Sequence, residues 1–214
     1  MSNFTKLLTG MKILEEVISP INGKLTVIRD LTFGTYIHGG GITQSGGIAQ
    51  LIWKKPLVRL QNFEIRNCLI LGLGGGGIVR LIRKNWPKVK IVGVDIDPVI
   101  VDLGRKYLGL DKEGVEIVID DAYNFVAKKP QLKSWDLVCV DIYLGQEYPR
   151  KFEERKFIEG VKKVLGKNGF AVFNRLYYEE KRIQAVRFLH LLEKTFSKVD
   201  VVYPKANIMF ICSS

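Results

Sequence analysis

Three β-prone runs in the middle of this chain end in aspartate: "VKIVGVD" at Asp95, "VEIVIDD" at Asp120 and Asp121, and "WDLVCVD" at Asp141. Ahead of them, "CLILGLGGGGIVRLI" carries Gly72 and then the unbroken run Gly74 to Gly77. Glycines at the end of a strand let a ligand approach the main chain, and a strand–turn–helix sequence sets backbone amides at the carboxyl edge of a parallel sheet. Gly72, Gly74 and Gly77 fit the GxGxxG spacing of dinucleotide sites, whereas Gly72, Gly74 and Gly76 fit the GxGxG spacing of S-adenosylmethionine (AdoMet) sites. The loop therefore signals a nucleoside without choosing one.

The acids make the choice. Asp95, with Ile96 beside it, ends the strand where a carboxylate accepts both hydroxyls of a ribose. Asp97 followed by Pro98 reads instead as a helix N-cap with proline in the first turn. Asp121 followed by the small Ala122 suits the exocyclic amine and ring of adenine, and the charge of Asp141 suits the amino group and sulfonium of a cationic cofactor. Each aspartate alone reads as a helix cap. Acids closing successive strands match AdoMet, decarboxylated AdoMet or methylthioadenosine, and they match the anionic pyrophosphate of NAD poorly. No spacing of cysteine and histidine marks a metal site.

Positioning such acids requires a parallel sheet. From about Ile48 the sequence alternates apolar runs with helical stretches near Ile78–Asn85, Val99–Tyr107, Ala122–Ala127, Phe152–Leu165 and Glu179–Thr195. This predicts an α/β, Rossmann-like, mainly parallel seven-stranded sheet with helices on both faces. "KVDVVY" and "NIMFICSS" are separated only by "PKA", which permits a hairpin and makes a terminal strand antiparallel. Before residue 48, "KILEEVIS", "KLTVIRD" and "FGTYIH" are short β-prone runs parted by turn residues. The organisation read from this is a small N-terminal antiparallel β domain over 1–47 and a Rossmann-like domain over 48–214.

The bulk composition narrows the setting. Cys68, Cys139 and Cys212 lie in apolar runs and read as buried free thiols. No apolar run approaches the length that spans a bilayer, and the start "MSNFTKLLTGMKILEEV" lacks a signal-peptide core, so a cytoplasmic protein without membrane contact is expected. The net charge of +11 admits nucleic acid as a partner, but its lysines and arginines are scattered and read as a solvated surface.

These motifs resemble the spermidine synthase (aminopropyltransferase) family, a branch of the class I AdoMet-dependent methyltransferase fold. "LEEVISPINGKLTVIRD" with "FGTYIHGGGITQSGG" resembles its N-terminal β domain, "LILGLGGGGIVR" its glycine motif, "VGVDIDPVIV" its ribose strand, "IDDAYNF" its adenine segment and "DLVCVDIY" the strand before its catalytic loop. The resemblance implies a homodimer, and it assigns Gln44 to the cofactor together with Asp95, Asp121 and Ala122. Asp141 matches the first aspartate of the family's D-[ST]-[ST]-D-P loop.

The amine half departs from the pattern. The acid of GGGDGG becomes Gly75, the D-E-x-x-Y segment aligns with Ala49, Gln50 and Trp53, and the second loop aspartate falls on Leu144. An alkyl amine is neutral only about once in 2,500 molecules at pH 7, so aminopropyl transfer needs a group to take its proton. Glu147 is a candidate substitute by a shifted path. Methyl transfer needs less, because holding a nucleophile in line with the sulfonium supplies much of the rate. Tyr143 and Tyr148, on the loop after Asp141, are candidates to orient an acceptor at the mouth of the site. His38 reads as a structural histidine near the cofactor edge, His190 as a helical one, and Lys181, Arg182 and Arg187 as a solvated helix stripe. Three readings stand: a methyltransferase on an unidentified small-molecule acceptor, an aminopropyltransferase with a rebuilt amine site, and a non-catalytic nucleoside-binding relative.

Overall fold

The computed structural model describes residues 10–128 and 135–213, so the reading of the first residues, Met1 to Thr9, lies outside the described part. Strands β1 (Lys12–Ser19), β2 (Gly23–Asp30), β3 (Gly34–Gly39) and β4 (Ile42–Gly46) form an antiparallel meander in that order. Leu25 and Val27 are buried on one face of β2 while Lys24 is exposed, the period-2 pattern of a half-covered sheet. The Asp30 carboxylate accepts from the amides of Thr32 and Phe33 and closes the β2–β3 turn.

Two short helices, α1 (Gly47–Leu51) and α2 (Lys54–Leu60), lead into the second sheet. There β5 (Asn67–Leu71), α3 (Val79–Asn85), β6 (Lys90–Asp95), α4 (Pro98–Leu103), β7 (Glu116–Ile119), α5 (Ala122–Lys128), β8 (Trp135–Val140), α6 (Arg155–Val164) and β9 (Leu165–Leu176) alternate. Then α7 (Lys181–Glu193), β10 (Lys198–Val202) and β11 (Asn207–Ser213) follow. The sheet order is β10-β11-β9-β8-β5-β6-β7, with β11 antiparallel to β9 and β10 and the other pairs parallel. The α/β, Rossmann-like reading with an antiparallel last strand and an N-terminal antiparallel sheet holds.

Central β5 is covered on both faces. Cys68 and Ile70 enter one core with α3 and α4, and Leu69 and Leu71 enter the other with α5, α6 and α7. The chain leaves β5 toward β6 on one side and returns as β8 on the other, and this reversal opens a crevice at the carboxyl edge. Helix boundaries moved where local geometry intervened. α6 begins at Arg155 because Glu154 is still extended (ψ 140°), and α4 stops at Leu103, continuing as a wider turn over Gly104–Leu108. Asp97 caps α4 through the Val99 amide at 2.9 Å, with Pro98 following. The same fully buried carboxylate accepts from the Ser19 hydroxyl and from Asn22 Nδ2, each at 2.6 Å, and so docks the β1–β2 turn on the second sheet.

All three cysteines are buried and unbridged. Among the described residues, no helix is long and apolar enough to cross a membrane.

Candidate functional site

A cavity of about 780 Å³ opens at the carboxyl edge of the second sheet, roofed by residues of the N-terminal sheet. The glycine loop forms its floor. Amides of Gly72 and Leu73 donate to the Val94 carbonyl at 2.9 and 3.0 Å, which holds the loop against β6. Gly72 has φ +88°, and a Cβ there would lie 2.1 Å from the Asp141 carbonyl oxygen, so only glycine lets the ends of β5 and β8 approach this closely. Gly74 also lines the cavity.

Gly76 does not. Its amide donates to the Leu73 carbonyl at 2.9 Å, and a Cβ at this position would sit 2.5 Å from Leu110 Cδ1, so it turns the chain against the core. Gly77 lines the cavity instead, its amide donating to Ser45 Oγ of β4 at 3.2 Å. Gly75 packs away from the opening, where an added Cβ would come within 2.8 Å of Ile37 and Leu108.

Asp95, Asp121 and Asp141 line this one cavity, with Asp120, Ile96 and Ala122. Asp95 Oδ2 accepts from the Gly74 amide at 2.7 Å and Oδ1 from the Asp97 amide at 2.9 Å. Each oxygen keeps a lone pair, enough for two neighbouring hydroxyls. Burial pushes this carboxyl above its ordinary value, while the Asp97 and Gly74 amides pull it back. Asp121 is more committed than its position in sequence suggests: Oδ1 caps α5 through the Tyr123 amide at 2.7 Å, and Oδ2 pairs with Lys151. Ile96 is half-exposed at the rim and Ala122 is buried.

Asp141 lies at the centre of a buried network. Trp53 Nε1 donates to Oδ2 at 2.8 Å, Asn174 Nδ2 donates to Oδ1 at 2.7 Å, and Asn207 Nδ2 donates in turn to Asn174 Oδ1 at 2.9 Å. Burial raises the Asp141 carboxyl, and Asn174 and Trp53 oppose that. Neutral donors hold the charge in place. Trp53 is fully buried and outside the cavity lining, so it braces Asp141 from behind.

This bracing carries a prediction. Trp53→Phe keeps the aromatic body and removes one hydrogen bond to a buried carboxylate, at a cost of about 1.5 kcal/mol of stability near neutral pH. The folded Asp141 carboxyl binds its proton more tightly than the unfolded one, so stability falls as pH rises from the ordinary carboxylate value through the raised one. The variant raises that value further. Its deficit in urea unfolding is therefore largest at neutral pH and shrinks on acidification; a deficit independent of pH would refute the bracing role.

Tyr143 lines the cavity, but its hydroxyl is occupied, accepting from the Leu176 amide at 2.8 Å and donating to the Asn174 carbonyl at 3.4 Å. Burial holds the phenol far above its usual range, so Tyr143 fixes the loop to β9 and is unsuited to moving a proton. Tyr148 is not at the mouth: it is buried, with its ring centre 3.9 Å from Arg175 Cζ, because aromatic and guanidinium faces stack beneath the loop. Glu147 turns outward to Lys181 at 2.8 Å and does not line the cavity. Gln44 lines it while donating through Nε2 to the Gly39 carbonyl at 3.0 Å, and His38 lines it as well. His190 is remote, on α7, 3.2 Å from Glu193. Leu144 lines the opening and is half-exposed, so it does not plug the space.

Asn174, Asn207, Lys151 and Lys205, which also line the cavity, were not singled out from the sequence. Asn174 had a readable signal, a polar residue ending the apolar run "GFAVFN". Among the described residues, no group of three or more histidines, cysteines or acids is placed to hold a metal ion.

A crevice at the strand reversal, bordered by a glycine loop and edged by strand-terminal acids, lies where sheets of the Rossmann-like methyltransferase fold take their ligands. Residues 49–208 match the spermine/spermidine synthase domain, and the chain belongs to that family. It is 29% identical over 197 residues to a polyamine aminopropyltransferase of Aeropyrum pernix, a match covering 86% of this chain and 59% of the relative. It is 28% identical over 134 residues to an eEF1A lysine and N-terminal methyltransferase homolog of Drosophila melanogaster, covering 58% of this chain and 20% of the relative. The chain thus spans less than two-thirds of these relatives. Its fold also matches human methyltransferase-like protein 13 in complex with SAH, with a TM-score of 0.63, 22% identity, and coverage of 78% of this chain and 81% of that one.

Proposed function

We propose that this chain is an AdoMet-dependent methyltransferase built on the spermidine synthase scaffold. The cavity fits AdoMet by donor set as well as by volume: Asp95 has free lone pairs for a ribose, bare main chain at Gly74 admits close approach, and Asp141 offers a carboxyl group fixed by Trp53 and Asn174. AdoMet supplies a methyl group already activated on a sulfonium. The chain's own residues bind and orient: Asp95 takes the ribose, the segment 120–122 bounds the adenine space, and Asp141, locked by Trp53 and Asn174, sets the charge beside the reacting centre. Such fixed dipoles need no rearrangement during the reaction.

One observation carries methyl over aminopropyl transfer. On the acceptor side, along β8, β9 and β11, the only acid lining the cavity among the described residues is Asp141, already held by two donors. Position 144 is leucine, Glu147 faces Lys181, and Gly75 has no room for a side chain. A diammonium acceptor would leave a desolvated charge without a carboxylate there. The methyltransferase name of the Drosophila relative supports the same reading.

Calorimetry is expected to detect AdoMet and methylthioadenosine but not NAD; the reverse result would refute the nucleoside assignment. Incubation of the protein and a metabolite extract with methyl-labelled AdoMet is expected to label an acceptor. Transfer of the aminopropyl group from decarboxylated AdoMet to putrescine, with no methyl transfer, would establish the polyamine reading instead.

A further inference from the structure

The cavity has two ends of different charge. Asp95 ends β6, and Asp120 and Asp121 follow β7, so three of the four acids lining it among the described residues gather on one side of the sheet. On that side the lining Lys151 is spent on Asp121. The opposite side is walled by Asn174 and Leu176 of β9, Tyr178 after it, and Lys205, Ala206 and Asn207 at the β10–β11 hairpin. There Asp141 is engaged by neutral donors, and Lys205 makes no ion pair or hydrogen bond with any described residue. Its ammonium is the one unpartnered cation among the described residues lining the cavity.

The backbone beneath Lys205 is held in an unusual conformation. Its φ is +53°, a left-handed value that a residue with a Cβ adopts at a cost. Glu179, on the facing β9–α7 loop, has φ +46°. The two loops are joined by the Tyr177 amide to the Ala206 carbonyl at 2.8 Å, and the Asn207 amide closes the hairpin on the Pro204 carbonyl at 3.0 Å. Packed Tyr177 and Tyr203 rings, 5.3 Å between centres, add to this. Strained non-glycine residues persist where surrounding contacts over-determine them, and they concentrate at ligand sites.

We propose that the methyl acceptor carries an anionic group, a carboxylate or a phosphate, that pairs with Lys205 at the mouth of the cavity on the β9–β11 side. This rests on the reading that the acidic end holds the sulfonium nucleoside. The same ammonium repels a polyamine, so Lys205 selects against the diamine class while selecting its own acceptor.

The test titrates four probes into protein saturated with methylthioadenosine, and into protein without it: butylamine, 4-aminobutyrate, 2-aminoethyl phosphate and putrescine. Wild type is expected to bind the stronger anionic probe about fivefold more tightly than butylamine, the upper range for a pair open to water on one side. Whichever of the two anions binds better identifies carboxylate or phosphate. Lys205→Asn, a substitution that tolerates the left-handed backbone, removes the preference. Lys205→Glu gains putrescine by about fivefold. Binding of all four probes that is equal or unmeasurable in wild type and Lys205→Glu overturns the proposal. So does a Lys205→Asn protein that binds S-adenosylhomocysteine more weakly but methylthioadenosine normally, because Lys205 would then hold the nucleoside's own carboxylate. Loss of the nucleoside reading is seen separately, as absence of methylthioadenosine binding in wild type, and it would sink both.

Discussion

Asp95→Ala is expected to weaken methylthioadenosine binding by about 2–3 kcal/mol, on the order of a hundredfold in Kd, because in the proposed site two hydroxyls lose a charged acceptor. The geometry makes the effect specific. Both Asp95 oxygens are oriented by main-chain amides, from Gly74 and Asp97, so the carboxylate reaches a ligand without first giving up rotational freedom. The pH dependence follows from its raised carboxyl. Protonation removes the acceptor, so affinity falls on acidification, beginning at a higher pH than for an ordinary aspartate. Stability of the free protein changes in the opposite sense. The folded state binds this proton more tightly than the unfolded state, so Asp95 makes the free protein less stable as pH rises through that window. Calorimetric Kd values and urea midpoints measured from about pH 4 to 7 check both. Affinity that is flat with pH, or unchanged in the variant, would remove Asp95 from the site.

Gly72→Ala is expected to cost about 3–4 kcal/mol, combining the penalty for a left-handed alanine with that of forcing a methyl into occupied space. The obstacle is backbone, the Asp141 carbonyl, which has no side-chain rotation to escape by. Relief requires the ends of β5 and β8 to separate, which parts Asp141 from the glycine loop, so methylthioadenosine binding is expected to fall along with stability. Gly74→Ala is the control. Its φ is +55°, but the nearest atom to an added Cβ is Ser45 Cβ at an ordinary 3.7 Å, so only the conformational cost of about 1–2 kcal/mol applies. Equal losses in chemical denaturation of the two variants would show that the approach of β5 to β8 is not what Gly72 permits.

Much of this protein can be read from consecutive residues. Alternating apolar runs and helical stretches define the parallel sheet, because the two periodicities bury different faces. The short "PKA" link leaves no length for a crossover, so β11 must run antiparallel. The positions of Asp95 and Asp141 follow from strand ends, since every parallel strand delivers its last residue to the same edge. Asp97 with Pro98 announces a helix start wherever it occurs.

What the tertiary structure decided are pairings between residues far apart in the chain. Trp53 meets Asp141 across 88 residues, Asn174 reaches the same carboxylate from β9, and Asn207 of β11 holds Asn174 in turn, because β9 lies between β8 and β11. Gly77 lines the cavity beside Ser45 of the other sheet while Gly76 packs on Leu110, and Glu147 pairs outward with Lys181 of α7. Tyr148, polar enough to suggest a site residue, was buried under Arg175. Local sequence governs backbone propensity and the face a residue presents; which partner waits on that face depends on the packing of sheets and helices brought together from distant stretches of chain.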